Sequence, residues 1–223
     1  MSLINETNDG FISVYQTRRR KNRNRYKYQS NELSFKLSTN LKHISTQMVD
    51  SRTLINVLTY VSNICLITNK TLIINKISHI VCYGLGNFLT SIDSLYQLAL
   101  LVSLKKSFAK SLKISIFDPI FSDIETDFLK NNLQFNVLKV NNHCIHSIDI
   151  QLDQMVMFYM PHCDKCLFNN LLWSNWTLSQ LNQMVILGNS FNTMIETIGS
   201  QRVAKHEFKY LFATTLCEEF KIC

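Results

Sequence analysis

Four short words in this chain hold residue types able to do chemistry: "YGLGN" (Tyr83–Asn87), "DP" (Asp118–Pro119), "PHC" (Pro161–Cys163) and "GNS" (Gly188–Ser190). Gly84 and Gly86 follow an apolar run, and glycines there let a backbone turn sharply and come close to a phosphate. Leu89 and Thr90 stand where a dinucleotide fingerprint places its third glycine, so a tight strand-to-helix turn explains the pair as well. Asp118 closes "KISIF", a position where ribose-binding enzymes carry an acid. It lies 34 residues beyond Gly84, against about 20 in that motif, and Pro119 favours a simple turn. Asn87, Asn189 and Ser190 suit helix N-caps, whose free N–H groups also suit an anion. His162 is the candidate general acid or base, and a candidate axial ligand for haem iron.

Metal chemistry has weaker support. Cys163 and Cys166 form one C-x-x-C beside His162, with His143 and His146 upstream, but the second pair that a zinc site would want is absent. No metal is expected, and His162 and Cys163 stand only as weak haem-ligand candidates. No P-loop, nucleophile elbow or carboxylate pair with metal spacing occurs.

The elements that must position these residues alternate. "HIVCY", "KISIF", "FNVLKV", "QMVMFYM" and "QMVIL" read as strands, with helices over residues 91–106, "SDIETDFLKNN", "DKCLFNNLLW" and the segment after "GNSF". Near-continuous apolar strands joined by helices predict an α/β fold: a Rossmann-like, doubly wound, mostly parallel sheet, order 3-2-1-4-5, with helices on both faces. All strand-end loops then emerge at one edge. Gly84, Gly86, Asn87, Asp118, Pro161, His162, Asn189 and Ser190 are thereby expected to line one crevice. Trp173 and Trp176 are expected to close the core at a helix end.

Composition sets the frame. The chain has 223 residues, 46% of them hydrophobic and two of them proline, enough to bury a core. Its most apolar helix, "LYQLALLVSL", is ten residues long, well short of the roughly 18 residues a membrane span takes. The N-terminus does not read as a secretory signal. Seven scattered cysteines read as reduced thiols, for which the cytosol or nucleus is expected; the sequons at Asn5, Asn69 and Asn175 are then chance matches. The net charge of +7 comes from the run Arg18–Lys27, without which basic and acidic residues balance at 16 each. That run is expected to be a solvated arm, offering a nuclear-import signal or nonspecific polyanion contact. Residues 1–40 read as a flexible basic arm, and 41–223 as a single α/β domain that includes an amphipathic helix over 50–67.

With these residues set out, the chain resembles the SRR-like family, named for the plant regulator "sensitivity to red light reduced". The resemblance covers about residues 75–220 through "YGLGNF", Ser94 with "QLA" (Gln97–Ala99), "FDPIFSDIE", "FYMPHC", "LLWSNW" and "ILGNSF". It implies a regulator without settled catalysis: light and clock signalling in plants, clock-gene expression and haem biosynthesis in animals, a microtubule-related role in fungi. Cys163 lies inside the family word "PHC" and Cys166 outside it, which further lowers the zinc reading and that of a thioredoxin-like redox pair. The expectation is a regulatory protein in clock input and haem biosynthesis, with protein partners and a small ligand in the crevice. The alternative is an enzyme holding a nucleotide-type cofactor there, Asp118 on a ribose and His162 as acid or base.

Overall fold

A computed structural model describes residues 31–47, 76–108, 111–149, 154–198 and 207–216. The basic arm and the helix expected over 50–67 lie outside the described residues. The chain divides into two compact units, Met1–Asn40 and Leu41–Cys223. Residues 31–47 form helix α1, so 31–40 are helical where a flexible arm was expected. Leu33, Leu37, Leu41 and Ile44 repeat at four- and three-residue spacing. A Glu32–Lys36 pair at 2.8 Å supports the exposed side.

In the second unit, five strands form one parallel sheet in the order β3-β2-β1-β4-β5. The strands are β1 Ile77–Tyr83, β2 Lys113–Phe117, β3 Asn136–Val137, β4 Met155–Met160 and β5 Met184–Gly188. Every pairing is parallel, so the expected order holds and the sheet is parallel throughout. β1 pairs on both sides, and Ile80, Val81, Cys82 and Tyr83 are all buried, which is why its sequence shows no alternation. β3 is only two residues long, because Leu138 donates its last ladder bond to Ile116 before the chain leaves the sheet.

Each face is covered. Tyr159 Oη donates to the Gln97 carbonyl (3.3 Å) in α2, Ile92–Ser107, which lies on the face holding Ile80, Ile116 and Met157. The rings of Phe88 and Phe128 meet near it, the latter on α3, Asp123–Asn131. On the other face Val81, Tyr83, Phe158 and Met160 pack with α4 (Lys165–Ser174), α6 (Phe191–Ile198) and α7 (Lys209–Ala213), while the short α5 (Leu178–Leu181) joins α4 to β5. Leu171 and Leu172 fill the core from α4. Trp173 and Trp176 do not: they are 52% and 38% exposed, because the buried stripe of α4 is already taken by Phe168 and those two leucines.

Candidate functional site

Parallel strands deliver all their C-terminal ends to one edge, and the turns there decide what meets what. After β1, Gly84 and Gly86 adopt φ of +64° and +84°, a region that costs side-chain-bearing residues energy. Between and beyond them, Leu85 and Phe88 point into the core and anchor the turn.

The glycines also make room. A Cβ on Gly84 would stand 2.8 Å from Cys163 Sγ and 3.2 Å from both the Cys163 nitrogen and the His162 carbonyl carbon. The Gly84 carbonyl accepts the His162 amide at 3.0 Å, so the β1 and β4 exits are sewn together by main-chain atoms. At Gly86, Ser94 Oγ from α2 occupies the space a Cβ would need, and His162 Cδ2 lies 3.7 Å away.

Asp118 joins β2 to the same cluster. Its Oδ2 accepts the Gly86 amide at 2.8 Å and its Oδ1 accepts the Ile120 amide at 3.0 Å. Both oxygens thus hold protein backbone, and the carboxylate positions the β1 turn. Asn87 Oδ1 accepts from Leu89 (3.1 Å) and Thr90 (3.0 Å), closing the turn ahead of α2, whose N-cap is Ser91. Ser190 Oγ accepts from Thr193 at 3.2 Å and caps α6. Asn189 is exposed, one step past Gly188, which pairs with Met160 at the end of β4.

The β1 turn therefore gathers the others: Gly84 bonds His162, Gly86 bonds Asp118 and lies beside the His162 ring, and Pro161 leads into His162. Asn189 and Ser190 stand one strand further along the rim, beside β4. His162 is exposed, at the turn that carries the chain from β4 toward α4. Cys163 is buried, and its thiol is pushed far above the usual range by a hydrogen bond with Cys144, then by burial. A thiol so held is a poor nucleophile and a poor thiolate ligand. Cys166 is exposed, so the C-x-x-C pair does not act as one unit. Among the described residues no three His, Cys, Asp or Glu side chains group as metal ligands.

Behind the rim, Glu125, the Tyr83–His146 pair and Asn175 escaped the sequence reading of the site. Glu125 is fully buried; Oε2 accepts from Ser122 N and Oγ at 2.8 Å each, and Oε1 accepts the Leu89 amide at 3.2 Å. The words "SDIE" carry the signal as a capping box, Ser122-x-x-Glu125. Tyr83 Oη meets His146 Nδ1 at 3.0 Å, and Asn142 Nδ2 donates to the same phenol at 3.4 Å. Burial raises the Tyr83 phenol from 10.0 to about 12 and lowers His146 below its ordinary 6.5. His146 is thus locked on a phenol, with its ring set T-shaped against Phe158. Asn175 holds that loop: its Nδ2 donates to the His146 carbonyl (2.7 Å) and the Leu171 carbonyl (2.9 Å), and its Oδ1 accepts the Ile148 amide (2.8 Å). Fully buried and bonded at both ends, it offers no acceptor for a sugar in the folded chain.

Comparison with known proteins agrees with the words at the strand ends. The model of the SRR1 domain matches residues 65–222. An SRR1-like protein of Mus musculus is 37% identical over 137 residues, covering 60% of this chain and 53% of that protein. The Arabidopsis thaliana protein SENSITIVITY TO RED LIGHT REDUCED 1 is 31% identical over 119 residues, covering 53% of this chain and 42% of the relative. An SRR1-like protein of Drosophila melanogaster is 30% identical over 139 residues, covering 58% and 47%. The chain spans about half the length of the curated relatives it matches. No solved structure matches it. With its glycine turn, its Asp118 tie and its "PHC" rim on one parallel sheet, the chain belongs to the SRR1 domain family.

Proposed function

We propose that this protein is a regulator rather than a catalyst, acting in light- or clock-input signalling and in control of haem biosynthesis, and that its rim crevice is a ligand- or partner-sensing site. The observation that carries the reading is how the rim's polar groups are spent. Asp118 has both oxygens on backbone amides, Asn87 and Ser190 hold turns and caps, and Cys163 stays a protonated thiol. That leaves exposed His162 without an activated nucleophile among the described rim residues, and with the Asp118 carboxylate already engaged, which suits recognition better than acid–base turnover. The name of the plant relative supports the signalling part.

Of the two haem-ligand candidates, His162 is the one that fits. Its imidazole is exposed at the rim, whereas the Cys163 thiol is buried and kept protonated. The competing reading, an enzyme with a nucleotide-type cofactor, rests on the glycine turn after β1. It has less support, because the Gly86 amide that would face a phosphate already faces Asp118. In this proposal the basic run Arg18–Lys27 serves nuclear entry or loose polyanion contact, and the protein works in cytoplasm and nucleus with protein partners.

The test is a thermal-shift screen of the full chain against haem, S-adenosylmethionine and nicotinamide cofactors. A ligand at 100 times its Kd adds about 2.7 kcal/mol. A Soret band that appears with haem and is lost in His162→Ala supports the regulatory reading. A nucleotide shift lost in Asp118→Ala, followed by turnover of a bound substrate, would replace it with the enzyme.

A further inference from the structure

The rim lies at the C-terminal ends of the strands. A concavity opens at the opposite edge, near the amino ends of β1, β2 and β3. Its volume is about 580 Å³, within the range of small-molecule pockets. It is lined by His79, Lys105, Lys113, Ser115, Gln134 and Asn136, with Leu112 and Ile114 beside them and no Asp or Glu.

The polar members are fixed in place. His79 Nε2 and Ser115 Oγ are 2.9 Å apart, and Asn136 Nδ2 donates to the same Oγ at 3.1 Å, so three adjacent strands share one hydroxyl. Lys105 comes from the last turn of α2. Gln134 takes a φ of +57° where the chain leaves α3, and the neighbouring Leu133 carbonyl accepts Lys105 Nζ at 2.8 Å. The same ammonium sits 4.9 Å above the Phe135 ring. One of its three N–H groups is thus used, and two remain for a ligand. Lys113, the first residue of β2, adds a second charge at the mouth. Burial, then the charges of His146 and Lys113, keep the His79 imidazole below its ordinary 6.5. Two ammonium groups and an amide donor, with no carboxylate among the described lining residues, form an anion seat, because lysine serves phosphate as a point charge.

We propose that this pocket binds the phosphoryl group of a small phosphorylated metabolite, with Lys105 and Lys113 as counter-charges and the second N–H of Asn136 as a directing donor. The volume exceeds what a bare phosphate fills, so the ester part of the ligand contributes. This assignment is independent of the rim crevice and of the regulatory reading above.

Calorimetric titration of the full chain with inorganic phosphate and with glycerol 3-phosphate, at constant ionic strength set with sodium chloride, tests it. Saturable binding is expected for both, tighter for the ester. Lys105→Met and Lys113→Met, which keep the stems and remove the charges, are each expected to weaken it about tenfold, or 1.4 kcal/mol. Lys113 is exposed, so its variant reports on binding even should Lys105→Met fold poorly. His162→Ala is expected to bind the ester as the parent does. No saturable heat at matched ionic strength, unchanged affinity in Lys113→Met, or loss of binding in His162→Ala would each overturn the assignment. Equal affinity for the two probes would overturn the ester and leave a bare-ion site.

Discussion

Asp118 Oδ2 and the Gly86 amide nitrogen are 2.8 Å apart, a bond that fastens the exit of β2 to the exit of β1 across 32 residues of chain. With its other oxygen on Ile120, the carboxylate serves two amides. Asp118→Ala strips both of their partner and is expected to cost about 1–3 kcal/mol. Urea unfolding checks this; a variant as stable as the parent would mean the two amides find water at no cost.

Gly84→Ala is expected to be the more damaging of the two glycine substitutions. The new methyl meets main-chain atoms of His162 and Cys163, which cannot swing aside, at a φ of +64°. At Gly86 the obstacle is the Ser94 hydroxyl, the end of a side chain. Gly86→Ala combined with Ser94→Ala should therefore recover part of the loss, a coupling of about 0.5–3 kcal/mol in a double-mutant cycle. Strict additivity would contradict the contact.

Glu125→Ala is expected to destabilise by about 2 kcal/mol, combining the lost capping box with the loss of one of the two acceptors, Glu125 and Asn87, that share the Leu89 amide. Hydrogen exchange separates the two contributions, since the Leu89 and Ser122 amides should both lose protection. Faster exchange at Ser122 alone would remove Glu125 from the β1 turn.

Stability should respond to pH at both ends of the range. Burial holds His146 and His79 below 6.5 in the folded chain, so the unfolded chain takes up protons first as the pH falls. The stability present above 6.5 is then lost as the pH drops through that value toward the folded pKa. Burial holds Tyr83 at about 12 against an ordinary 10.0, so the unfolded chain ionises first on the alkaline side. That contribution is present below pH 10 and is lost as the pH rises from 10 to about 12. Unfolding of the parent and of His146→Gln between pH 5 and 8 checks the acidic limb; an unchanged slope in the variant would assign the proton to another group.

Asn175→Ala is expected to free the loop at 146–148, which that carboxamide bonds on both sides. Exchange at Ile148 should accelerate more than exchange in β4, and stability should fall by about 2–3 kcal/mol, one buried acceptor and two N–H donors being lost. Equal acceleration throughout the domain would point to global destabilisation instead.

The sheet was legible in the sequence because its strands are short apolar runs bounded by glycine, proline or polar words, and the order follows from βαβ connections. "FNVLKV" overstated β3, since a sheet-edge run is as long as its neighbour allows, and only Ser115 and Ile116 offer partners. Helix 31–47 was hidden by its charged and polar residues, although Leu33, Leu37, Leu41 and Ile44 carry its period. Gly84, Gly86, Asp118 and His162 could be placed together because parallel strands end on one side. The Tyr83–His146 bond could not, because it spans 63 residues and depends on a loop whose course is set by Asn175, another side chain distant in sequence. Glu125 was legible as a cap, but not as the partner of Leu89.

Three strand exits are riveted by the Gly84 carbonyl to the His162 amide and by the Gly86 amide to Asp118. A rim made this way is already in its final shape before anything arrives. On the proposed sensing role, little ordering would remain to oppose capture of haem there, and selection would rest on fit to a fixed outline. Stopped-flow mixing should accordingly give a single phase whose rate climbs in proportion to concentration, with no plateau from a slower rearrangement.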